Sequence, residues 1–168
     1  MKIAIVDRND EVIGYKNRED ELGDDISRVS ALWVYNSKGQ SLLAQRALNK
    51  KFSPGKWGPA VAGTVEEGET YLSNIIKETK EELGVDVAEE GIEVGDKKLI
   101  QGEHLYFRQY YYAKLDLPLE AFTFPEDEVM QIRWVDSDEL EKWLSEAPDD
   151  FTPSLVDSFH DFLKLLFN

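Results

Sequence analysis

The segment from Gly63 to Val85 constrains the fold more than any other stretch of this sequence. Thr70 is a candidate N-cap, and apolar residues follow it at helical spacing until Gly84, a residue typical of helix ends. The apolar stripe consists of Leu72, Ile75, Ile76, Thr79 and Leu83. At about 100° per residue, Glu78, Glu81 and Glu82 share an arc about 100° wide, centred about 120° from that stripe. The segment therefore predicts a helix with one face in a core and another face of carboxylates.

The three carboxylates of this helix suggest a cation site. Neighbouring like charges cost roughly a few tenths of a kcal/mol for each close pair unless a cation lies among them. Mg²⁺ prefers oxygen ligands and bridges to substrate phosphates, so a carboxylate patch beside a glycine-containing loop suits diphosphate chemistry. The alternative is an ordinary solvated helix face, because Lys77 and Lys80 interleave with the glutamates. Taken alone, the helix favours that alternative.

The charge balance and the cysteine count exclude several classes of protein. The 168 residues include 19 Lys plus Arg and 34 Asp plus Glu, and the net charge of −15 repels nucleic-acid backbones and anionic membranes. The chain has no cysteine and only two histidines, which excludes disulfides, thiolate zinc sites and His-rich metal sites. Apolar residues never run together for about 18 positions, so we expect no membrane span and a cytoplasmic protein. The oligomeric state stays open, with a homodimer as one option.

The remaining apolar runs predict a mixed α/β domain. The length suits one compact domain over residues 1–168. Strands are predicted at Ile3–Val6, Val12–Gly14, Ala31–Tyr35, Leu42–Ala44, Leu105–Leu115 and Gln131–Val135. Two further helices are predicted, one with Asp136 and Glu139 as a capping box and one with Thr152 as N-cap before Pro153. Since strands and helices interleave, the fold class is α/β.

Several aromatic and basic residues have two interpretations each. One face of the strand at 105–115 carries Tyr106, Arg108, Tyr110 and Tyr112, which either line a pocket or pack under a helix. Trp57 is expected in the core, and stacking on a base is its alternative role. His104 is interpreted as a structural histidine rather than a ligand.

The spacing around the helical glutamates resembles the Nudix box. That box reads glycine, five residues, glutamate, seven residues, then arginine-glutamate-apolar-any-glutamate-glutamate-any-glycine-apolar. The matching positions are Gly63, Glu69, Glu78, Glu81, Glu82, Gly84 and Val85. Six Gly or Glu matches, each met by chance about one time in ten, coincide roughly once in a million placements. The chain departs from the box at Lys77, which replaces the arginine, and at Thr79, which replaces an apolar residue.

Beyond the box, the chain looks most like the type I isopentenyl-diphosphate isomerase branch of the Nudix superfamily. The segments that carry this resemblance are 36–40, 45–47, 50–51, 54–57, 127–130 and 151–153. The resemblance implies the Nudix α/β/α sandwich, a mixed sheet between helices. That branch has a cysteine just before the box glycine and a metal-binding histidine just after it. This chain has Ala62 and Thr64 there, which argues against isomerase chemistry.

The resemblance also implies catalytic and metal-binding roles. Glu78 and Glu82 would hold Mg²⁺, with Mn²⁺ as a substitute, Glu81 would hold or share a metal, and the Gly63 carbonyl would join them. The base outside the box varies among Nudix enzymes. The candidates for that base, in order, are Glu128, Glu126 and Glu103.

Three basic residues are candidates for binding substrate. Arg46 and Lys50 match positions that contact diphosphate in the isomerase branch, and Lys77 is a third candidate contact. The alternative for each is an ordinary surface charge, because Lys and Arg are mostly exposed.

Three functions are compatible with this pattern. We expect a Mg²⁺-dependent hydrolase that cleaves the phosphoanhydride of a nucleoside-diphosphate-linked or other small organic diphosphate. Its requirements, a metal cluster, a base and a substrate pocket, all have candidate residues. The alternatives are an isomerase-like protein acting on prenyl diphosphates and a Nudix domain that binds a ligand without turnover. We expect a small-molecule partner and neither nucleic acid nor membrane.

Overall fold

One ten-residue strand, Ile26–Tyr35, pairs with four other strands of the mixed sheet. The computed structural model describes residues 1–102 and 104–167, and within them it shows nine strands and three α-helices. The strands are β1 (Lys2–Val6), β2 (Val12–Asn17), β3 (Ile26–Tyr35), β4 (Gln40–Arg46), β5 (Trp57–Pro59), β6 (Val61–Thr64), β7 (Ile92–Gln101), β8 (Leu105–Lys114) and β9 (Val129–Asp136). The helices are α1 (Tyr71–Leu83), α2 (Ser137–Glu146) and α3 (Pro153–Phe167).

The long strand β3 has a different set of partners on each edge. On one edge β8 runs parallel to it, from the pair Ile26 and Leu105 to the pair Tyr35 and Lys114. On the other edge β1, β6 and β4 pair with it in turn, all antiparallel. The strand β4 leaves β3 after two residue pairs and continues between β5 and β9. This divergence brings β4, β6 and β8 to the same region of the sheet.

Helices cover both faces of β3, because its apolar run leaves no face for solvent. On one face Trp33 stacks on Phe162 of α3, with ring centroids 4.4 Å apart. On the other face Leu32 shares a buried cluster with Ile75 and Leu83 of α1. The expected α/β/α sandwich, with a mixed sheet between helices, is therefore confirmed.

The predicted strands are all present, but three others escaped prediction. β5 and β6 are three and four residues long and contain glycine or proline, so they show no clear alternation. β7 is a mostly exposed strand that pairs with β8 and with no other described strand, and a register shift between Val94 and Lys97 interrupts it. Edge strands of this kind carry polar residues and lack the apolar pattern that predicts a buried strand.

The predicted N-terminal caps of α2 and α3 have different outcomes. Thr152 accepts the Leu155 N–H at 3.4 Å before Pro153, as expected of an N-cap. The predicted capping box of α2 is wrong. Asp136 lies at the N-cap position without a side-chain capping bond, and Glu139 pairs with Arg133 instead. A nearby guanidinium thus replaces the backbone N–H as the partner of that carboxylate. Within the described residues, no helix is long and apolar enough to cross a membrane.

A substitution at Gly84, the C-cap of α1, tests how much the close packing at this helix end contributes to stability. Gly84 has a φ of 70°, and a Cβ there would lie 2.0 Å from Oγ1 of Thr123. We expect Gly84→Ala to lower the free energy of unfolding by about 1–3 kcal/mol, because it adds a clash to a left-handed backbone. Gly14→Ala is the matched control, since nothing lies within 4 Å of its Cβ position, and its effect should stay within about 0.5 kcal/mol. Urea unfolding measures both, and equal effects would contradict the prediction.

Candidate active site

The carboxylate face of α1 borders a pocket of about 610 Å³. Its walls come from α1, β4, β6, β8, the loop at 47–56 and the start of α3. Among the predicted site residues, the structure brings Gly63, Glu78, Glu81, Glu82, Arg46, Lys50 and Glu128 to this pocket. Metal-ligand candidates and basic residues from distant parts of the chain therefore border one cavity.

Local contacts determine where α1 begins and ends. Thr70 accepts the Ser73 N–H at 3.0 Å, and the Ser73 hydroxyl accepts the Thr70 N–H at 2.9 Å. At the other end Gly84 adopts the left-handed conformation and donates to the Lys80 carbonyl at 3.0 Å. The helix predicted from these residues is confirmed, and its bounds determine which glutamates face the pocket.

The backbone of β6 lies directly against the carboxylates of α1. A Cβ on Gly63 would meet Cγ of Glu78 at 2.3 Å, so only glycine permits this approach. One residue earlier, the Ala62 N–H donates to Oε2 of Glu82 at 3.2 Å. Strand and helix thus bring two carboxylates beside the Gly63 backbone.

A buried asparagine holds the neighbouring glutamates. The side-chain amide of Asn74 donates to Oε2 of Glu69 at 2.8 Å and to the Thr64 carbonyl at 3.1 Å. A longer contact of 3.4 Å reaches Oε1 of Glu78. Asn74 is fully buried, and sequence reasoning missed it. A polar residue on the inward side of a predicted helix is the signal that would have found it.

Lys77 lies among carboxylates rather than along the pocket wall. Its Nζ is 2.7 Å from Oε1 of Glu66, 2.7 Å from Oε1 of Glu69 and 3.7 Å from Oε1 of Glu78. Partial burial opposes the charge, but the bonds to Glu66 and Glu69 raise the pKa of Lys77. The residue is not part of the described pocket lining. Direct contact of Lys77 with substrate stays a prediction, and the geometry favours a role in positioning the glutamates.

The pKa values of the two innermost glutamates reflect their crowding. Burial and the neighbouring Glu78 carboxylate raise the pKa of Glu82 to about 8. Burial also raises the pKa of Glu78 to about 6, opposed by Lys77 and reinforced by Glu81. Both groups therefore favour a proton, or another cation, over an uncompensated negative charge.

The donor set suits a hard divalent cation. Glu78, Glu81 and Glu82 supply only oxygen, and the glycine at position 63 gives the backbone carbonyl room beside them. In the described part of the chain, no three acidic or histidine side chains converge closely enough to enclose a metal. An open site of this kind fits Mg²⁺, which keeps several water ligands and shares substrate oxygens.

The basic candidates differ in their partners. Arg46 donates its Nε to the Phe52 carbonyl at 3.0 Å, and burial lowers its pKa. Lys50 instead forms an ion pair with Glu128, the first candidate base. Both basic residues border the pocket, so their positions are compatible with the proposed contact with a diphosphate.

The three candidate bases are placed differently. Glu128 borders the pocket, whereas Glu126 is absent from its described lining. Glu103 lies outside the described residues. Of the two candidates that the structure describes, Glu128 is the one that borders the cavity.

The aromatic face of β8 is divided between two surroundings. Tyr106 and Arg108 border the pocket, while Tyr110 and Tyr112 pack in the core beneath α3. Both interpretations of that face are therefore correct, each for one half of the strand. His104 also borders the pocket, with ring contacts to Phe52 and Tyr106. Trp57 lies in the core, as predicted.

Known proteins share both the sequence and the fold of this chain. The NUDIX domain model matches residues 25–155. "Nudix hydrolase 3" of Arabidopsis thaliana is 30% identical over 142 residues, which cover 77% of this chain but only 18% of the plant protein. The isopentenyl-diphosphate Delta-isomerase of Escherichia coli O127:H6 is 30% identical over 126 residues, covering 74% of this chain and 69% of that protein.

A solved structure shares the fold of this chain. The protein DR0079 from Deinococcus radiodurans superposes with a TM-score of 0.78 and 22% identity, covering 96% of this chain and 98% of its own. That likeness shows the fold. With the domain match and the carboxylates beside Gly63, it leads to one conclusion. The chain belongs to the NUDIX domain family.

Proposed function

We propose that this protein hydrolyses the phosphoanhydride of a nucleoside-diphosphate-linked or other small organic diphosphate, with Mg²⁺ or Mn²⁺ as cofactor. One observation carries the proposal: the glutamates of α1 and the guanidinium of Arg46 border the same pocket. A diphosphate presents oxygens to a metal and to a cation at once, so it fits a cavity that offers both.

The residues of the chain divide the work of hydrolysis between them. Glu78 and Glu82, with Glu81 and the Gly63 carbonyl, would hold the metal. When bound, that ion would neutralise diphosphate charge and lower the pKa of the attacking water. Arg46 would bind non-bridging phosphate oxygens.

Glu128 is our candidate for the general base. Its carboxylate would accept a proton from water as the water oxygen bonds to phosphorus and the bridging P–O bond breaks. Its carboxylate forms an ion pair with Lys50, which also borders the pocket. One domain over residues 1–168 and a cytoplasmic location remain predictions from the sequence, and a homodimer remains one option for the oligomeric state.

A second candidate function is suggested by the isomerase relative. Isomerisation of a prenyl diphosphate needs groups that add and remove protons at carbon. Ala62 and Thr64 border the pocket where the resemblance would place a cysteine and a histidine, and the chain has no cysteine. These side chains cannot supply that chemistry, so hydrolysis is the better supported function.

A substrate panel tests the proposed function. Nucleoside diphosphates, nucleoside diphosphate sugars, dinucleoside diphosphates and isopentenyl diphosphate would be incubated with Mg²⁺, and phosphate-bearing products and isomers measured. We expect metal-dependent hydrolysis of at least one member and no conversion of isopentenyl diphosphate into its isomer. Glu82→Gln should slow hydrolysis by about a hundredfold or more, since even partners of metal ligands contribute up to that. Isomer exchange, or no hydrolysis of any member, would contradict the proposal.

Metal binding should release protons from Glu82. Its pKa of about 8 without metal means that the carboxyl is mostly protonated near pH 7, and a divalent cation requires the carboxylate. We therefore expect proton release on Mg²⁺ or Mn²⁺ binding near pH 7, little release above about pH 9, and an affinity that rises with pH between them. Calorimetry in two buffers of different ionisation enthalpy measures the protons. Glu82→Gln should bind metal more weakly without that release, and equal affinity and release in both proteins would remove Glu82 from the site.

Lys77 should act through the glutamates that it contacts. Lys77→Ala removes the ammonium between Glu66 and Glu69, so hydrolysis and metal affinity should fall by about tenfold to a hundredfold. Lys77→Arg should hydrolyse at least as fast as wild type, because a guanidinium can bond two carboxylates in a fork. Lys80→Ala is the control, as Lys80 lies on the same helix but pairs with the exposed Asp86. Wild-type rates for Lys77→Ala across a Mg²⁺ titration would show that the position is an ordinary helix charge.

A further inference from the structure

Arg108 is a buried cation that the proposed reaction has not yet used. It is 9% exposed, it lies on β8, and it borders the same pocket as the glutamates. Within residues 1–102 and 104–167, its buried Nε has no hydrogen-bond partner. Among the residues that the structure describes, no carboxylate forms an ion pair with it. Burying a charge without an ionic partner is costly, so this position suits a negatively charged ligand.

The groups around Arg108 do not offset its charge. Its guanidinium carbon lies 5.1 Å from the centre of the Tyr106 ring, a cation–π contact. The hydroxyl of Tyr110 also lies close enough to interact with it, but this group is neutral and donates to the Ser154 carbonyl. Arg28, another partly buried arginine, does have a carboxylate partner. Its Nε lies 2.6 Å from Oδ1 of Asp10.

Arg46 is a second guanidinium without a carboxylate partner in the described ion pairs. Its Nε donates to the backbone carbonyl of Phe52. Its charge also interacts with those of two carboxylates and two further guanidiniums, namely Glu82, Glu128, Arg108 and Arg18. Arg46 is thus close to both the carboxylate side of the pocket and Arg108. Two like charges at this position repel each other unless an anion of high charge lies beside them.

We propose that Arg108 and Arg46 together bind the terminal phosphoryl group of a singly substituted diphosphate. This inference rests on the proposed function and narrows its substrate class. A terminal phosphoryl group has three non-bridging oxygens and close to two negative charges, whereas a phosphoryl group between two organic substituents has two such oxygens and one charge. Two guanidiniums match the former in charge and in hydrogen-bond number.

The products follow from this substrate class. Water adds its oxygen to one phosphorus, the bridging P–O–P bond breaks, and the proton of the water passes to the base. Whichever phosphorus is attacked, a singly substituted diphosphate gives an organic monophosphate and inorganic phosphate. Arg108 would therefore determine specificity, since it distinguishes a diphosphate at the end of a molecule from one in its interior.

Binding of unreactive analogues tests the inference apart from turnover. Calorimetry with Mg²⁺ present would compare methylenediphosphonate singly esterified with a methyl group and its doubly esterified counterpart, in wild type, Arg108→Gln and Arg108→Lys. We expect Arg108→Gln to bind the singly esterified analogue about tenfold to a hundredfold more weakly, and the doubly esterified one within about twofold of wild type. Arg108→Lys should fall between wild type and Arg108→Gln, because it keeps the charge without the fork.

Control measurements keep the outcomes separate. Arg133→Gln removes an arginine that is outside the described pocket lining and paired with Glu139, so both affinities should stay at wild-type values. If Arg108→Gln does not fold, as judged by its melting curve, the Arg108→Lys comparison carries the test. Equal losses for both analogues, or no loss for either, would overturn the inference. Selective loss together with no hydrolysis of any panel member would refute the proposed function and leave this anion subsite standing.

Discussion

The close approach of β6 to α1 at Gly63 is the contact on which the rest of the site depends. A side chain at that position would overlap Glu78, so the strand and the helix could not come together with the carboxylates between them. The helix itself is held in place by its cap at Thr70 and by Gly84, which lies against Thr123. Together, the two glycines and the Thr70 cap bring the glutamates of α1 next to the backbone of Gly63.

Charged side chains of both signs border the pocket that results. Its lining includes carboxylates from α1 together with Arg46 and Arg108. The charge of Arg46 interacts with those of Glu82 and Glu128, whereas Arg108 has no carboxylate partner among the described ion pairs. Buried charges need counterions, and we propose that a metal and the anion bound to it supply them here. The diphosphate proposed as substrate meets that requirement.

Lys77 shows how a departure from the family pattern is accommodated. The ammonium reaches Glu66 and Glu69 at the same distance of 2.7 Å, although it lacks the planar fork of an arginine. Asn74 supplies a further bond to Glu69 and thus shares the task of holding that carboxylate. The glutamates are therefore positioned by two side chains of α1, one charged and one neutral.

The sequence by itself determined what depends on neighbours along the chain. The bounds of α1, its carboxylate face and the strands with clear alternation follow from local spacing and capping, because these interactions join residues a few positions apart. The spacing of the box also indicated the family before any contact was known.

Only the tertiary structure decided which of several candidate partners each polar residue contacts. Glu139 meets Arg133 rather than a helix cap, and Tyr110 enters the core while Arg108, two residues earlier on the same face, borders the pocket. Three strands, β5, β6 and β7, form because they pair with neighbouring strands. Their own residue patterns do not predict this pairing. Such contacts join residues far apart in the chain, and their choice depends on the packing of the whole sheet against its helices.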